Sequence, residues 1–462
     1  MQRILAIAWL TWKAALRFRL FIVIAALLIL AVVGLPLVIQ DDGTARGFTQ
    51  IILTYTLSAI TALLGFSTLW LACGTLARDI EECQIQVVTT KPIARWQIWL
   101  GKWLGLVSLN AVLLALSGAC VYGLLEWRAH KLPSAEQKIL REQVLVARGV
   151  AKEKNFDAEI DAEAAQILQE RLKKNPVTTA DLPEVEKQIR EQVKSAYQVV
   201  QPGYSRVWQI DLGLAKNYLK DQPLHLRVKF NSAQKSASGT FGALWQVGVP
   251  GKTKLWRTET PMSLAPDTFH EFQIPADLFD DQGVLTIMFI NPDDTSLLFP
   301  LDDGMEVLYP EGGFALNFLR GLAILFCWMA LLAALGLASA SFLSFPVATF
   351  FSLAVLLVAL SSGTLSDAVD SGTVVGGNEE TGVMGHSAAD LVLIPLFKGM
   401  LAVIRLVESF SPIDALSTGR AITWGELGRA FAQIVLLPGG FIALAGIALF
   451  HRRELATAQG TQ

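Results

Sequence analysis

Six stretches of the chain are apolar for long enough, as helices, to cross a lipid bilayer: Leu20–Val38, Ile51–Leu76, Leu104–Leu125, Phe314–Ala338, Val347–Ser361 and Phe431–Phe450. A hydrocarbon core about 30 Å thick takes roughly 20 helical residues at about 1.5 Å each. Val347–Ser361 is the shortest of them. The 462 residues are 52% hydrophobic and 17% charged, too apolar for an ordinary soluble protein of this size. The formal net charge of −3 implies no nucleic acid or other polyanionic partner.

Lysine and arginine near the span ends set the orientation. Arg3, Lys13, Arg17 and Arg19 precede the first span, Lys91, Arg95 and Lys102 separate the second from the third, and Arg452 and Arg453 follow the last. With six spans, all of these fall on one side, read as cytoplasmic, together with both termini. No small-residue cleavage site follows the first span, which reads as a retained anchor. Residues 1–19 read as an interfacial amphipathic helix with Ile4, Ile7, Ala8, Trp12, Ala15 and Leu16 on its apolar face. Asp41 and Asp42 fall in a short outer loop. The membrane blocks are therefore 1–126 and 313–462.

Hydrophobicity collapses after Trp127, and residues 127–312 read as an α+β extracytoplasmic insertion. Its first part, 127–204, is dense in Glu, Lys, Arg, Gln and Ala and predicts helices in SAEQKILREQVLVAR, DAEIDAEAAQILQERLKK and LPEVEKQIREQVKSAYQVV. The second, 205–312, changes period. HLRVKF, GALWQVGV, TFHEFQI, GVLTIMF and MEVLYP predict short strands separated by turn clusters such as NPDD and LDDG, a β-sandwich or jelly-roll pattern. Trp245 and Trp256 are either core or an aromatic face for a periplasmic partner or substrate. None of the four cysteines lies in the insertion, so no disulfide framework supports it.

A second outer region separates spans five and six. DSGTVVGGNEETGVMGH is glycine-rich, and ADLVLIPLFKGMLAVIRLVESF places Lys398, Leu401, Arg405 and Glu408 on one side. A seventh span there would put HRREL outside and break the charge asymmetry, which favours an amphipathic helix at the outer interface.

Catalytic motifs are missing from the sequence. Gly101-Lys102 has no following Ser or Thr, and Gly251-Lys252-Thr253 has Gln246 where a phosphate loop needs its first glycine. LSGA, which resembles part of an ATPase signature, lies inside a span. There is no HExxH, CxxC or GxSxG, and the five histidines are scattered. The chain itself does not read as an enzyme, and no cofactor or metal is expected on it.

The most informative connection is TLARDIEECQIQVVTTKPIARWQIWLGKWLG, between spans two and three. Arg78 to Val88 reads as a short polar helix with Asp79, Glu81 and Glu82 exposed, Lys91-Pro92 breaks it, and Ile93 to Trp103 restarts a helix that enters the membrane with Trp96, Trp99 and Trp103 along one face. Aromatic rings at headgroup level and cations facing phosphate or a partner would hold such an elbow at fixed depth. In span two, Thr54, Ser58, Thr61, Gly65 and Thr68 share a face. They form either a polar translocation path or a small-residue packing seam. Arg320, just inside span four, is expected to snorkel outward rather than bind substrate.

The elbow resembles the cytoplasmic loop of the ABC type-2 permease superfamily. The matching residues are the acidic run Arg78, Asp79, Glu81 and Glu82, then Pro92 and Arg95, then Gly101 and Lys102; FHRREL resembles that family's basic tail. Cys83-Gln84 stands where the family usually has Gly-Thr. The large insertion resembles the branch annotated for multicopper-enzyme maturation, though no Met- or His-rich copper motif is present. The resemblance implies the permease subunit of an exporter in the bacterial inner membrane. It implies a separate ABC ATPase that binds ATP and Mg, and a second copy or a homologous permease beside this one.

Overall fold

The sequence's long apolar segments become helices because only intrasegment hydrogen bonding satisfies a backbone in lipid. The computed structural model describes residues 1–17, 20–38, 44–85, 93–174, 182–374 except 233, 235 and 237, and 389–453. Lys91, Pro92, Asp41, Asp42, Arg19, most of the glycine-rich stretch and the tail from Glu454 lie outside the described residues. Two compact units form, Met1–Ala147 with Gly312–Gln462, and Arg148–Glu311.

The helical unit begins with α1 (Gln2–Arg17) and α2 (Leu20–Val38), followed by α3 (Ala45–Glu81), α4 (Arg95–Ala129) and the short α5 (Ser134–Ile139). After the β-rich unit come α9 (Phe314–Ala340), α10 (Phe345–Leu360), α11 (Ser362–Ser371), α12 (Asp390–Glu408), α13 (Pro412–Ser417), α14 (Trp424–Ala430) and α15 (Gly440–Arg452). A π-helical stretch, Phe431–Gly439, joins α14 to α15 and contains Pro438. Among the described residues, four helices are long and apolar enough to cross a membrane: Gly47–Glu81, Arg95–Ala129, Phe314–Ala340 and Trp424–Arg452. A fifth arises if α10 and the start of α11, bent by 63°, count as one crossing. These helices mark the chain as a membrane protein. The first expected span falls short of the same test, its described apolar core being Ile22–Pro36.

The interior is arranged around α9, which packs against α3, α4, α10 and α15. Its small residues Ala330, Ala333, Ala334 and Ala340 are buried and let neighbouring backbones approach. α12 meets α11 through its charged side: Arg405 Nη2 donates to Ser366 Oγ at 3.0 Å, and Ser362 Oγ donates to Glu408 Oε1 at 2.6 Å. Leu391, Val392 and Leu396 are exposed, so α12 is two-faced as its sequence pattern requires.

The β-rich unit is a sandwich. One sheet has the order β1 (Val146–Lys152), β12 (Met305–Gly313), β4 (Leu224–Val228), β9 (His270–Ile274). The other runs β3 (Ser205–Asp211), β10 (Val284–Ile290), β6 (Phe241–Val247), β7 (Trp256–Arg257), with β8 (Met262–Leu264) also on β6. A small third sheet joins β2 (Val199–Val200), β11 (Leu297–Leu298) and β5 (Asn231–Ser232). Period-two alternation sends Leu226, Val307, Trp208, Trp245, Ile287 and Phe289 into one shared core. Trp245 lies 4.9 Å from Phe289 and 5.8 Å from Phe272, centroid to centroid, so it is a core residue; Trp256 is half-buried beside Phe272. All five expected strands are present. The helices α6 (Asp157–Lys174) and α7 (Leu182–Gln198) pack together through Ile160, Ala164, Ile189 and Val193, and a short α8 (Lys216–Leu219) follows β3.

One expected helix is corrected. SAEQKILREQVLVAR is helical only to Ile139, turns through a π-helical Leu140–Val144, and becomes strand β1 from Val146. VLVARGVAK is rich in β-branched residues, and pairing beside β12 rewards them more than a helix would. The division of the insertion into 127–204 and 205–312 shifts accordingly: β1 and β2 lie in the part expected to be helical, and the compact unit spans 148–311.

Candidate functional site: the elbow and its clasp

α3 ends at Glu81 because Cys83 turns left-handed, with φ 58°, a region that disfavours side chains. Glu82 N donates to the Arg78 carbonyl and Cys83 N to the Ile80 carbonyl, which closes the last turn. The chain re-enters a helix at Arg95, where Gln97 Oε1 accepts from Ala94 N at 3.2 Å. Between these points residues 86–92, Pro92 among them, lie outside the described residues.

The charged residues of this connection are mostly engaged with neighbouring helices. Lys102, only 7% exposed, places Nζ 2.6 Å from Asp79 Oδ2 and donates to the Thr75 carbonyl at 2.6 Å. The ion pair thus ties α4 to the end of α3. Glu81 Oε1 accepts from Phe345 N at 2.8 Å and caps the first turn of α10, where unbonded N–H groups point outward. Arg78 stacks on the Phe345 ring, 4.3 Å from its centroid. Arg95 Nη1 donates to the carbonyls of Phe450, His451 and Arg453 at 3.0, 2.7 and 2.8 Å, filling the open C-terminus of α15. Glu82, Cys83 and Gln84 are exposed, with Gln84 Nε2 donating to Glu82 Oε2 at 2.6 Å.

The tryptophans differ from expectation. Trp96 is exposed, but Trp99 is fully buried and Trp103 Nε1 donates to the Ala330 carbonyl of α9 at 3.0 Å. Their shared face is the one α4 turns toward α9 and α15, so packing there outweighs an interfacial position.

Gly101 and Gly105 have a structural part. A Cβ on Gly101 would lie 2.6 Å from Ile7 Cβ, and one on Gly105 would lie 2.7 Å from Thr11 Cβ. The GKWLG sequence is therefore the groove in which α1 lies, and Trp12 Nε1 reinforces it by donating to Ser108 Oγ at 2.8 Å. Ile7, Ala8 and Ala15 of the expected lipid-facing stripe are buried against protein, while Leu5, Trp9 and Leu16 are exposed. Helical spacing gave a two-faced α1 but not which face meets protein, because glycines in a neighbouring helix decide that.

The candidate path residues do not share one environment. Ser58 is exposed and Thr54 half-buried, whereas Gly65 and Thr68 are buried. Thr61 Oγ1 donates back to Leu57 O at 2.8 Å, and Thr68 Oγ1 lies 3.1 Å from Asn110 Oδ1 of α4. The stripe passes from the surface into a helix–helix seam. Asn110 is a polar seam residue that the sequence reading missed; a lone Asn in an apolar span was the available signal. Arg320 donates to the Ile422 carbonyl at 2.8 Å and stacks on Trp424, 4.5 Å from its ring centroid.

Among the described residues no group of three His, Cys, Asp or Glu could hold a metal ion. Family models, curated proteins and solved structures give no match to this chain.

Proposed function

We propose that the chain is the permease subunit of an ATP-driven exporter, with α2, α3, α4, α9, α10 and the α14–α15 helix as its six spans. A separate ABC-type ATPase would bind ATP and Mg and dock on the elbow. The observation that carries this reading is a pair of long apolar helices flanking the elbow whose ends are clamped to α10 and α15, with Glu82, Cys83 and Gln84 exposed at the end of α3. A push on the end of α3 would reach α10 through Glu81, and one on the start of α4 would reach α15 through Arg95. Closure of two ATPases on two tips would bias a two-state rearrangement of the spans, which requires a second copy or a homologous permease. The carried substrate would be lipid, glycan, peptide or drug. The elbow side is read as cytoplasmic and the β-rich unit as periplasmic, in a bacterial inner membrane.

The test is association with the cognate ATPase. Glu82→Lys is the informative variant, because Glu82 is exposed while Glu81 also caps α10. Loss of ATPase stimulation with normal membrane insertion supports the reading; unchanged stimulation removes the tip from the contact.

A second reading is mechanotransmission, in which ATP-driven motion reaches the β-rich unit and no solute crosses. It is favoured by one feature: β12 ends at Gly313 and α9 begins at Phe314, and the entering strand β1 pairs directly with β12.

A further inference from the structure

We infer that Arg453 is a positioning residue that closes the elbow's contacts into a ring, so that the C-terminal end of α15 belongs to the coupling element. Its use in coupling rests on the permease reading above; the ring itself does not.

The geometry is a chain of contacts that returns to its start. Arg95, at the start of α4, donates to the Arg453 carbonyl at 2.8 Å. The Arg453 guanidinium in turn reaches the turn between α9 and α10, with Nη1 3.2 Å from the Ala340 carbonyl and 3.4 Å from the Leu343 carbonyl. Two residues on, Phe345 N donates to Glu81 at the end of α3. α3 is tied back to α4 by Asp79 and Lys102. Burial lowers the Arg453 pKa, and the nearby Glu81 carboxylate offsets part of that.

The parts are matched to what each helix end needs. The C-termini of α9 and α15 leave carbonyls unbonded and receive guanidinium groups, while the N-terminus of α10 leaves N–H groups unbonded and receives a carboxylate. Below this layer the seam is closely packed. A Cβ on Gly446 of α15 would lie 2.8 Å from Ala338 Cα and 3.3 Å from Trp99 Nε1. The two arms of the elbow therefore act on different helices. The α3 arm holds α10 through Glu81 and Arg78, and the α4 arm holds α15 through Arg95. Arg453 joins the two arms at their far ends, and a displacement of the tip is shared by five helices.

A ring differs from a set of independent caps in one measurable way: opening it at one link loosens the others. Hydrogen exchange on the purified full-length protein in nanodiscs reads this at the Phe345 amide and at the amides of 449–453. Arg453→Gln is expected to speed exchange severalfold at Phe345, whose own acceptor is the untouched Glu81. Arg453→Lys, which keeps one cationic donor, should restore much of the protection. Arg95→Gln combined with Arg453→Gln should give less than the product of the single effects, since either change opens the same ring. Glu81→Gln, the mildest opening, should speed exchange at 449–453 and covers the case in which an arginine variant fails to fold. Multiplicative effects, or changes confined to each residue's own contacts, would overturn the ring. That failure would leave the permease reading standing, because association of the ATPase with the Glu82 tip is measured separately.

Discussion

Lys102 and Asp79 meet at 2.6 Å across the two helices that flank the elbow, and the same ammonium holds the Thr75 carbonyl. With Lys102 almost buried and Asp79 about one-third exposed, the pair is neither a surface ion pair nor a fully desolvated one. Asp79→Asn leaves a buried ammonium without its counter-ion, and the expected cost is about 2 kcal/mol. A double-mutant cycle with Lys102→Met, followed by thermal unfolding, should give a coupling energy of about 1–3 kcal/mol. Additive losses would mean that the two residues act separately.

Replacing Gly101 with Leu fills the groove that receives α1. Overpacking of this kind costs about 1–3 kcal/mol, and here α1 can detach without unfolding the bundle. Limited proteolysis should then cleave near Lys13 in Gly101→Leu but not in the parent protein. Equal resistance in the two would contradict the packing described for α1.

In the β-rich unit, Glu306, Arg227 and Glu271 stand directly opposite one another across β12, β4 and β9. Arg227 lies 3.5 Å from Glu271 and 3.7 Å from Glu306, and all three side chains are less than a tenth exposed. Arg148 and Lys152 of β1 pair with Glu271 and Glu306 respectively. Arg227→Met leaves each carboxylate with only its β1 cation and is expected to cost about 1–3 kcal/mol. Arg227→Met combined with Glu271→Gln should lose more, because Arg148 then also gives up its carboxylate partner. Thermal unfolding of the full chain measures both effects, and an unchanged midpoint in Arg227→Met would show that the ladder does not contribute.

The strands were legible because alternation in GVLTIMF or HLRVKF directly encodes which residues face a core. Four or five of the long apolar helices were legible for a similar reason, since length and apolarity alone mark them. The strand character of VLVARGVAK was hidden by the helical composition upstream and by a partner, β12, some 160 residues away in sequence. At the elbow, residue type identified Asp79, Glu81, Arg95 and Lys102 as unusual for so apolar a chain. Their partners are largely backbone groups at the ends of other helices, such as the Phe345 N–H and the Phe450 carbonyl, and backbone groups leave no signature in a sequence.

Sidedness is open to a direct check. Ser238 is exposed on the β-rich unit. A cysteine there should react with an impermeant maleimide once the outer barrier is permeabilised, before the inner membrane is opened. Labelling only after inner-membrane disruption would invert the topology and place the elbow outside.

On the proposed function the exposed end of α3 contacts an ATPase, and a native residue provides the probe. Cys83 is exposed at that tip, whereas Cys73 and Cys327 are buried and Cys120 is half-buried. A short thiol-to-amine cross-linker applied to membranes from the native host should join Cys83 to a protein that mass spectrometry identifies as a nucleotide-binding ABC-type ATPase. The product should vanish in Cys83→Ser. The absence of such an ATPase among the Cys83-dependent products, with Cys83 fully modified by the reagent, would contradict the account.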